Sequence, residues 1–152
     1  MKKKIHLQKK NMINEVLKVY FEYLSLNSRD RLKMGEKLTE ASKMLLEYTP
    51  PFGDDYFHRF FVMKRLASDM LQYSIDIEYA REYESKEQLF EYFKAAFNLA
   101  FEFYGHNPDR ELLPYLRYLL TFEPENEEYK ALFRKCLKLE KSFYSYLKNS
   151  NS

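Results

Sequence analysis

The residues best placed for chemistry in this sequence are Asp54, Asp55 and His58. If Asp55 lies in the first turn of a helix, His58 follows one turn later on the same face, where a carboxylate can orient the imidazole or share a metal ion with it. A simpler interpretation is that the two aspartates favour the positive end of a helix while His58 lies on the surface. We prefer this second interpretation and expect no metal at these three residues.

A carboxylate-bridged metal centre in a helical bundle needs a second acid–histidine pair and two further acids facing inward. The chain has only two other histidines, His6 and His106. Glu102 and His106 are four residues apart, but Gly105 between them is expected to end the helix. A metal-dependent helical-bundle enzyme is therefore the third of three candidate functions, and we expect no cofactor.

Nucleophilic catalysis has one candidate, Cys136, the only cysteine. A single cysteine excludes an internal disulfide and any zinc module built from several cysteines. Cys136 falls on a heptad seam of apolar residues, where an unligated cysteine behaves as a small buried hydrophobe. The three glycines are isolated, so neither a dinucleotide-binding loop nor a P-loop is present. No site has three convergent polar groups, and we predict that the protein is not an enzyme.

Charge is unevenly distributed along the chain, although the net charge is only +2. Residues 1–10 contain five lysines and no acid, and residues 76–128 contain thirteen acidic and five basic side chains. Near the end of the chain, four basic residues are spaced by four, four and three positions, which places them on one helix face. These candidate partner-binding residues are Lys130, Arg134, Lys138 and Lys141.

This basic face has three interpretations. It can contact phosphates or an acidic partner, it can be the solvated side of an amphipathic helix, or it can face the acidic segment within the fold. The acidic segment would repel a polyanion that approached within about 10 Å at 0.1 M salt. A nucleic-acid-associated regulator, using the basic arm at 1–10 and this face, is therefore the second candidate function.

Apolar residues recur at helical spacing along nearly the whole chain, with no convincing strand alternation. The pattern predicts about six antiparallel helices, in an irregular bundle or in stacked helical hairpins. The predicted helices cover approximately residues 8–26, 28–48, 55–83, 86–104, 107–122 and 127–147.

Several local signals mark the ends of these helices. Ser28 and Asp54 are candidate N-caps, and Ser85 with Gln88 forms a capping box. Gly105 suits the left-handed position that follows a helix. A proline at position 114 is expected either to delay the fifth helix or to kink it.

Two apolar faces are expected to be buried. In the last helix, Leu132, Cys136, Leu139 and Phe143 form a seam that we expect to pack against the fourth or fifth helix or against a second copy. In the third helix, a run of apolar residues that includes Phe57 and Phe61 is also expected to face the core.

The composition of the chain limits the class of protein, the number of domains and the location that we expect. The chain has 152 residues, of which 45% are hydrophobic and 32% charged, which suits one globular domain over residues 1–152 with a frayed tail at 148–152. No apolar run approaches the roughly 20 residues of a membrane span, so a cytoplasmic location without membrane contact is the default. The leading functional prediction is a non-catalytic helical interaction or regulatory module that binds protein through a groove or an aromatic face, with homo-oligomers also possible.

Overall fold

The computed structural model describes residues 12–27, 29–50 and 53–150. Over these ranges the chain forms six α-helices, one short 3-10 helix at Arg110–Leu112 and no strand, which confirms the predicted all-helical class. The α-helices are α1 (Met12–Leu24), α2 (Arg31–Glu47), α3 (Asp54–Ala80), α4 (Lys86–Phe103), α5 (Leu113–Phe122) and α6 (Glu127–Ser150).

Helices α3 and α4 form the central hairpin. The rings of Tyr73 and Tyr92 lie 5.5 Å apart between centroids, and those of Phe60 and Phe103 lie 6.1 Å apart. Residue numbers therefore rise along α3 as they fall along α4, which makes the two helices antiparallel. The α1–α2 hairpin packs against α3, α2 also reaches α4, and α5 and α6 follow on the other side of α4.

Local signals place the ends of α4 as the sequence predicts. Ser85 Oγ accepts a hydrogen bond from Gln88 N at 3.1 Å, and the Gln88 side chain accepts one from Glu84 N at 2.9 Å. At the other end Gly105 has φ = 65°, and His106 N donates to Phe101 O at 2.8 Å. This arrangement satisfies carbonyls that the last helical turn would otherwise leave unpaired.

Other helix boundaries differ from the sequence expectations. Gly53 takes the N-cap position of α3 and Asp54 is the first helical residue, so the prediction of Asp54 as the N-cap was wrong. Pro114 delays α5, because the 3-10 helix comes first and the proline lies in the first turn, where it needs no hydrogen-bond partner for its nitrogen. Ser28 and the basic arm at 1–10 lie outside the described residues.

The core draws apolar side chains from all six helices. Val16 of α1, Leu38 of α2, Phe93 of α4 and Leu116 of α5 are buried, and Cys136 of α6 is completely inaccessible. Burial raises the pKa of the Cys136 thiol, so its neutral form is favoured. The interpretation of Cys136 as a buried structural residue is confirmed.

The seam of α6 is buried only in its first half. Leu132 contacts the core, but Leu139 is 45% exposed and Phe143 is half-buried, so the neighbouring helices of one copy cover only part of the seam. That a second copy covers the rest stays a prediction. The reason is length, because α6 has 24 residues and α5 beneath it has 10, about 36 Å against 15 Å. The helix continues to Ser150, so residues 148–150 are helical where the sequence predicts a frayed tail, and residues 151–152 lie outside the described ranges.

A bilayer-spanning segment would need a long apolar helix, and none of the helices in the described ranges meets that requirement.

Candidate interaction surface

A groove lies open between α1 and α3. Its cavity has a volume of about 220 Å³, and its walls are almost entirely apolar. The lining side chains are Leu17, Tyr20, Phe21 and Leu24 from α1, and Phe61, Val62 and Arg65 from α3.

Large apolar side chains along this groove are exposed to solvent. Phe21 and Leu24 are 60% and 56% exposed, and Phe61 is 66% exposed. Phe57, one turn before Phe61 on the same edge of α3, is 58% exposed. Contiguous exposed apolar surface is uncommon on a soluble monomer and marks sites of interaction.

The exposure of Phe57 and Phe61 corrects the expectation that both are buried. Phe60 lies between them in sequence, and its ring packs edge-on against Phe103 of α4. Residues 57, 60 and 61 lie within about 100° of one another around the helix, but the buried stripe of α3 is centred on the far side of it, so only Phe60 reaches the edge of that stripe. Phe60, Val62 and Met63 turn toward the interior, which leaves Phe57 and Phe61 on the outer edge.

A polar contact holds the floor of the groove. The Tyr20 hydroxyl donates a hydrogen bond to Asp69 Oδ2 at 2.6 Å, which joins α1 to α3. Burial, followed by the neighbouring Asp69 carboxylate, raises the pKa of Tyr20 to about 12, so the phenol stays neutral at physiological pH. The two walls are therefore fixed relative to each other near their middle.

Arg65 is the one charged side chain among those that line the groove. Its guanidinium carbon lies 6.0 Å from the ring centroid of Phe61, at the outer limit of a cation–π contact. Its side chain interacts by a hydrogen bond with the Tyr20 hydroxyl, which itself donates to Asp69, so the cation belongs to the polar contact that joins the two walls. The groove thus offers apolar walls with one cation at its edge.

The four basic residues predicted as a partner-binding stripe do lie on one helix, α6, but one of them is already engaged. The Lys130 ammonium lies 3.2 Å from a Glu125 carboxylate oxygen and 3.5 Å from one of Glu127. Arg134, Lys138 and Lys141 are exposed, and none forms an ion pair with a residue in the described ranges. Whether this face binds a partner stays a prediction.

The acid–histidine candidates do not form a common site. Asp54 and His58 are exposed and Asp55 is half-buried, and no hydrogen bond or ion pair joins His58 to either aspartate. Among residues 12–27, 29–50 and 53–150, no group of three or more His, Cys, Asp or Glu side chains is arranged to hold a metal ion. The expectation that His58 binds no metal stays a prediction.

A polar cluster that the sequence did not predict joins three parts of the fold. His106 Nε2 lies 2.7 Å from Glu102 Oε2, although Gly105 ends the helix between them as expected. The other Glu102 oxygen lies 3.5 Å from Nη2 of Arg59, whose Nε donates to Tyr48 O at 2.6 Å. Because the chain reverses at Gly105, His106 folds back over the end of α4 and reaches Glu102 without a helical turn between them. The spacing of four residues was the signal for this pair, and the contact with Arg59 had no signal in the sequence.

The described residues therefore define an all-helical protein with an open aromatic groove between its first and third helices. Comparison with known protein families, curated proteins and solved structures found no match to this chain.

Proposed function

We propose that the protein is a non-catalytic helical interaction module whose partner inserts apolar side chains into the groove between α1 and α3. One observation carries the proposal, namely that Phe21, Leu24 and Phe61 are each more than half exposed around a single concave site. Interface affinity concentrates in a few large side chains that become fully desolvated at the centre of the contact. These three side chains are placed to do this.

The wall of the groove that carries Phe61 is held in place by the core, which suits it to bind a partner. Val62 and Leu66 behind it are buried, and the Tyr20–Asp69 hydrogen bond ties α1 to α3. A surface held by a rigid core loses little side-chain and backbone freedom when it binds, so more of the contact energy appears as affinity.

The nucleic-acid alternative has less support. Lys130 is paired with two glutamates at the start of α6, and the acidic segment at 76–128 belongs to the same small fold. We expect no binding of duplex DNA or single-stranded RNA tighter than the roughly 10⁻⁶ M end of non-specific affinity at about 0.1 M salt. Tighter binding that is lost when Lys130, Arg134 and Lys138 are changed to Glu would establish the nucleic-acid function instead.

Two surface variants of α3 test whether a partner binds in the groove. Phe61→Ser removes an exposed ring that lines the groove, and Tyr79→Ser removes a 91% exposed ring that does not. Wild type and both variants are immobilised and used to capture proteins from a lysate of the source cells. Partners retained by wild type and Tyr79→Ser but lost by Phe61→Ser are expected, and each is then purified for calorimetric titration.

Phe61→Ser should weaken binding of such a partner by about 2 kcal/mol or more, as truncation of a central aromatic residue does. Matching thermal unfolding curves for the three proteins show that the variants remain folded. Identical sets of captured proteins for all three would contradict the proposal.

A further inference from the structure

A second concave site lies where α3 and α4 meet the start of α5. Its cavity has a volume of about 150 Å³, and it shares no lining residue with the groove between α1 and α3. Ala67 of α3 and Ala100 of α4 lie in its wall, and both are buried. Because each has only a methyl group as its side chain, space remains between the two helices at this point.

Polar side chains from three parts of the fold line this cavity. They are Lys64 of α3, Tyr104 at the end of α4, Glu111 of the 3-10 helix and Tyr115 of α5. A concave site with an apolar wall and a few convergent polar groups is the usual form of a small-molecule site. The expectation that no site has three convergent polar groups was therefore wrong, because these residues come from different elements and their spacing in the sequence carries no signal.

The two phenols lie close to each other and to the Glu111 carboxylate. Burial, and to a smaller extent the Glu111 carboxylate, raises the pKa of Tyr104 and that of Tyr115 to about 12. The neighbouring Tyr104 phenol also contributes to the raised pKa of Tyr115. Both hydroxyls are therefore protonated at neutral pH. Neither forms a hydrogen bond with another residue of the described ranges, so both can donate one to a bound molecule or accept one from it.

A positive charge faces the same cavity from α3. The Lys64 ammonium lies 5.5 Å from the ring centroid of Phe103, and because Phe103 also lines the cavity, the charge lies beside it. Glu111 pairs loosely with its neighbour Arg110, whose Nη2 atom is 3.8 Å away, and both side chains are more than one third exposed. An exposed pair of this kind contributes little. The cavity therefore presents one cation and one anion from different elements.

Two other carboxylates near the phenols are already engaged. Asp69 lies near one phenol, but it accepts the hydrogen bond of the Tyr20 hydroxyl at 2.6 Å. Asp109 lies near the other, but it accepts a hydrogen bond from Glu111 N at 2.9 Å. Neither aspartate lines the cavity, so Glu111 is the carboxylate that a ligand meets there.

We infer that this cavity binds a small zwitterion, a molecule with one carboxylate and one ammonium group a few atoms apart. Lys64 pairs with the carboxylate of the ligand, Glu111 pairs with its ammonium group, and the two phenols add hydrogen bonds. An ion of a single charge is attracted by one of these charged side chains and repelled by the other. The cavity is smaller than the roughly 300–1,000 Å³ of sites for drug-sized molecules, so the ligand has only a few non-hydrogen atoms.

Calorimetric titration with five small probes tests the inference. Glycine, β-alanine and γ-aminobutyrate separate their two charges by different lengths, whereas propionate and propylamine carry one charge each. At neutral pH at least one of the zwitterions should bind wild type with a Kd of about 1 mM or tighter, and about tenfold more tightly than either single ion. Equal affinity for propionate or propylamine, or no binding of any zwitterion at about 10 mM, would overturn the inference.

Variants of the lining residues show whether the zwitterion binds in this cavity. Lys64→Gln and Glu111→Gln should each weaken its binding about fivefold or more, and Tyr115→Phe should weaken it about threefold or more. Lys33→Gln makes the same change at an exposed lysine of α2 that does not line the cavity, and it should leave the affinity unchanged. Matching thermal unfolding curves show that the variants remain folded. Binding that none of the three cavity variants weakens would also overturn the inference, and the proposed function would stand because it depends on the other groove.

Discussion

Arg59 on α3 lies with its Nη2 atom 3.5 Å from Glu102 Oε1 on α4, and only 2% of the arginine is exposed. A buried guanidinium requires a counter-charge, which Glu102 supplies, and its Nε donates a hydrogen bond to the carbonyl of Tyr48, while Nη2 has no hydrogen-bond acceptor among the described residues. Through these contacts a single side chain joins the end of α2, the start of α3 and the end of α4. This is the part of the fold where a small chemical change should have the largest effect.

Glu102→Gln should lower the free energy of unfolding by about 1–3 kcal/mol, because it leaves the charge of Arg59 buried without a counter-ion. The effect falls below that of a fully buried pair because the Glu102 side chain is 34% exposed. Urea unfolding measures it. Glu91→Gln on the same helix, whose side chain is 68% exposed, should change stability by less than about 0.5 kcal/mol, and an equal effect of the two changes would show that Arg59 does not depend on Glu102.

The same carboxylate makes stability depend on pH. The hydrogen bond with His106, followed by the charge of Arg59, lowers the pKa of Glu102 below its ordinary value of 4.5. Because the folded state binds this proton less tightly than the unfolded state, ionised Glu102 contributes stability above about pH 4.5 that is lost as the pH falls through the folded-state pKa. Urea midpoints between pH 7 and pH 3 should therefore fall more steeply for wild type than for Glu102→Gln, and parallel curves would contradict this.

Gly35→Ala should destabilise the protein even though alanine is the better helix former. A Cβ at Gly35 would lie 2.8 Å from Cζ of Tyr73, whose hydroxyl donates to Arg31 O at 2.9 Å. The overlap should cost about 1–3 kcal/mol, against a gain of about 1 kcal/mol in helix propensity. A double-mutant cycle with Tyr73→Phe should show a smaller penalty once the hydroxyl is removed, and a stabilising Gly35→Ala would mean that the ring moves freely.

Leu139→Ala and Leu116→Ala should differ widely in their effect on stability. Leu116 is inaccessible in the core, and its truncation should cost about 2–5 kcal/mol. Leu139 is 45% exposed, so its truncation should cost about 1 kcal/mol or less. Urea unfolding of both variants tests this, and similar losses would mean that the second half of the α6 seam is covered in solution.

The Cys136 thiol should be unreactive in the folded protein. It is fully inaccessible, and burial raises its pKa, so very little nucleophilic thiolate reaches solvent. Treatment with Ellman's reagent should give no thiol signal in native buffer and one equivalent in about 6 M guanidinium chloride. Rapid labelling without denaturant would show that α6 detaches from α5.

The sequence correctly predicted those structural features that depend on only a few neighbouring residues. The cap at Ser85, the left-handed Gly105 and the delay of α5 by Pro114 each follow from a few neighbouring residues whose backbone preferences do not depend on the rest of the fold. The burial of Cys136 also followed from the heptad seam. These features needed no knowledge of which helices meet.

The groove between α1 and α3 could not be predicted from neighbouring residues in the sequence. Phe57 and Phe61 share the spacing of core residues, and only the packing of Phe60 against Phe103 shows which rings face inward. Exposure also depends on how far neighbouring helices extend, as the exposed Leu139 shows in the second half of the long helix α6. The period of a helix gives the direction of a side chain and says nothing about what lies opposite it.

The amino-acid sequence by itself determined the all-helical class of the protein, its six helices and the two ends of α4, because hydrophobic period, caps and glycine act over one or two turns. Only the tertiary structure decided which aromatic faces stay open and that Arg59 of α3 meets Glu102 of α4. Both outcomes depend on contacts between residues far apart in the chain, where the docking of whole helices sets burial and electrostatics.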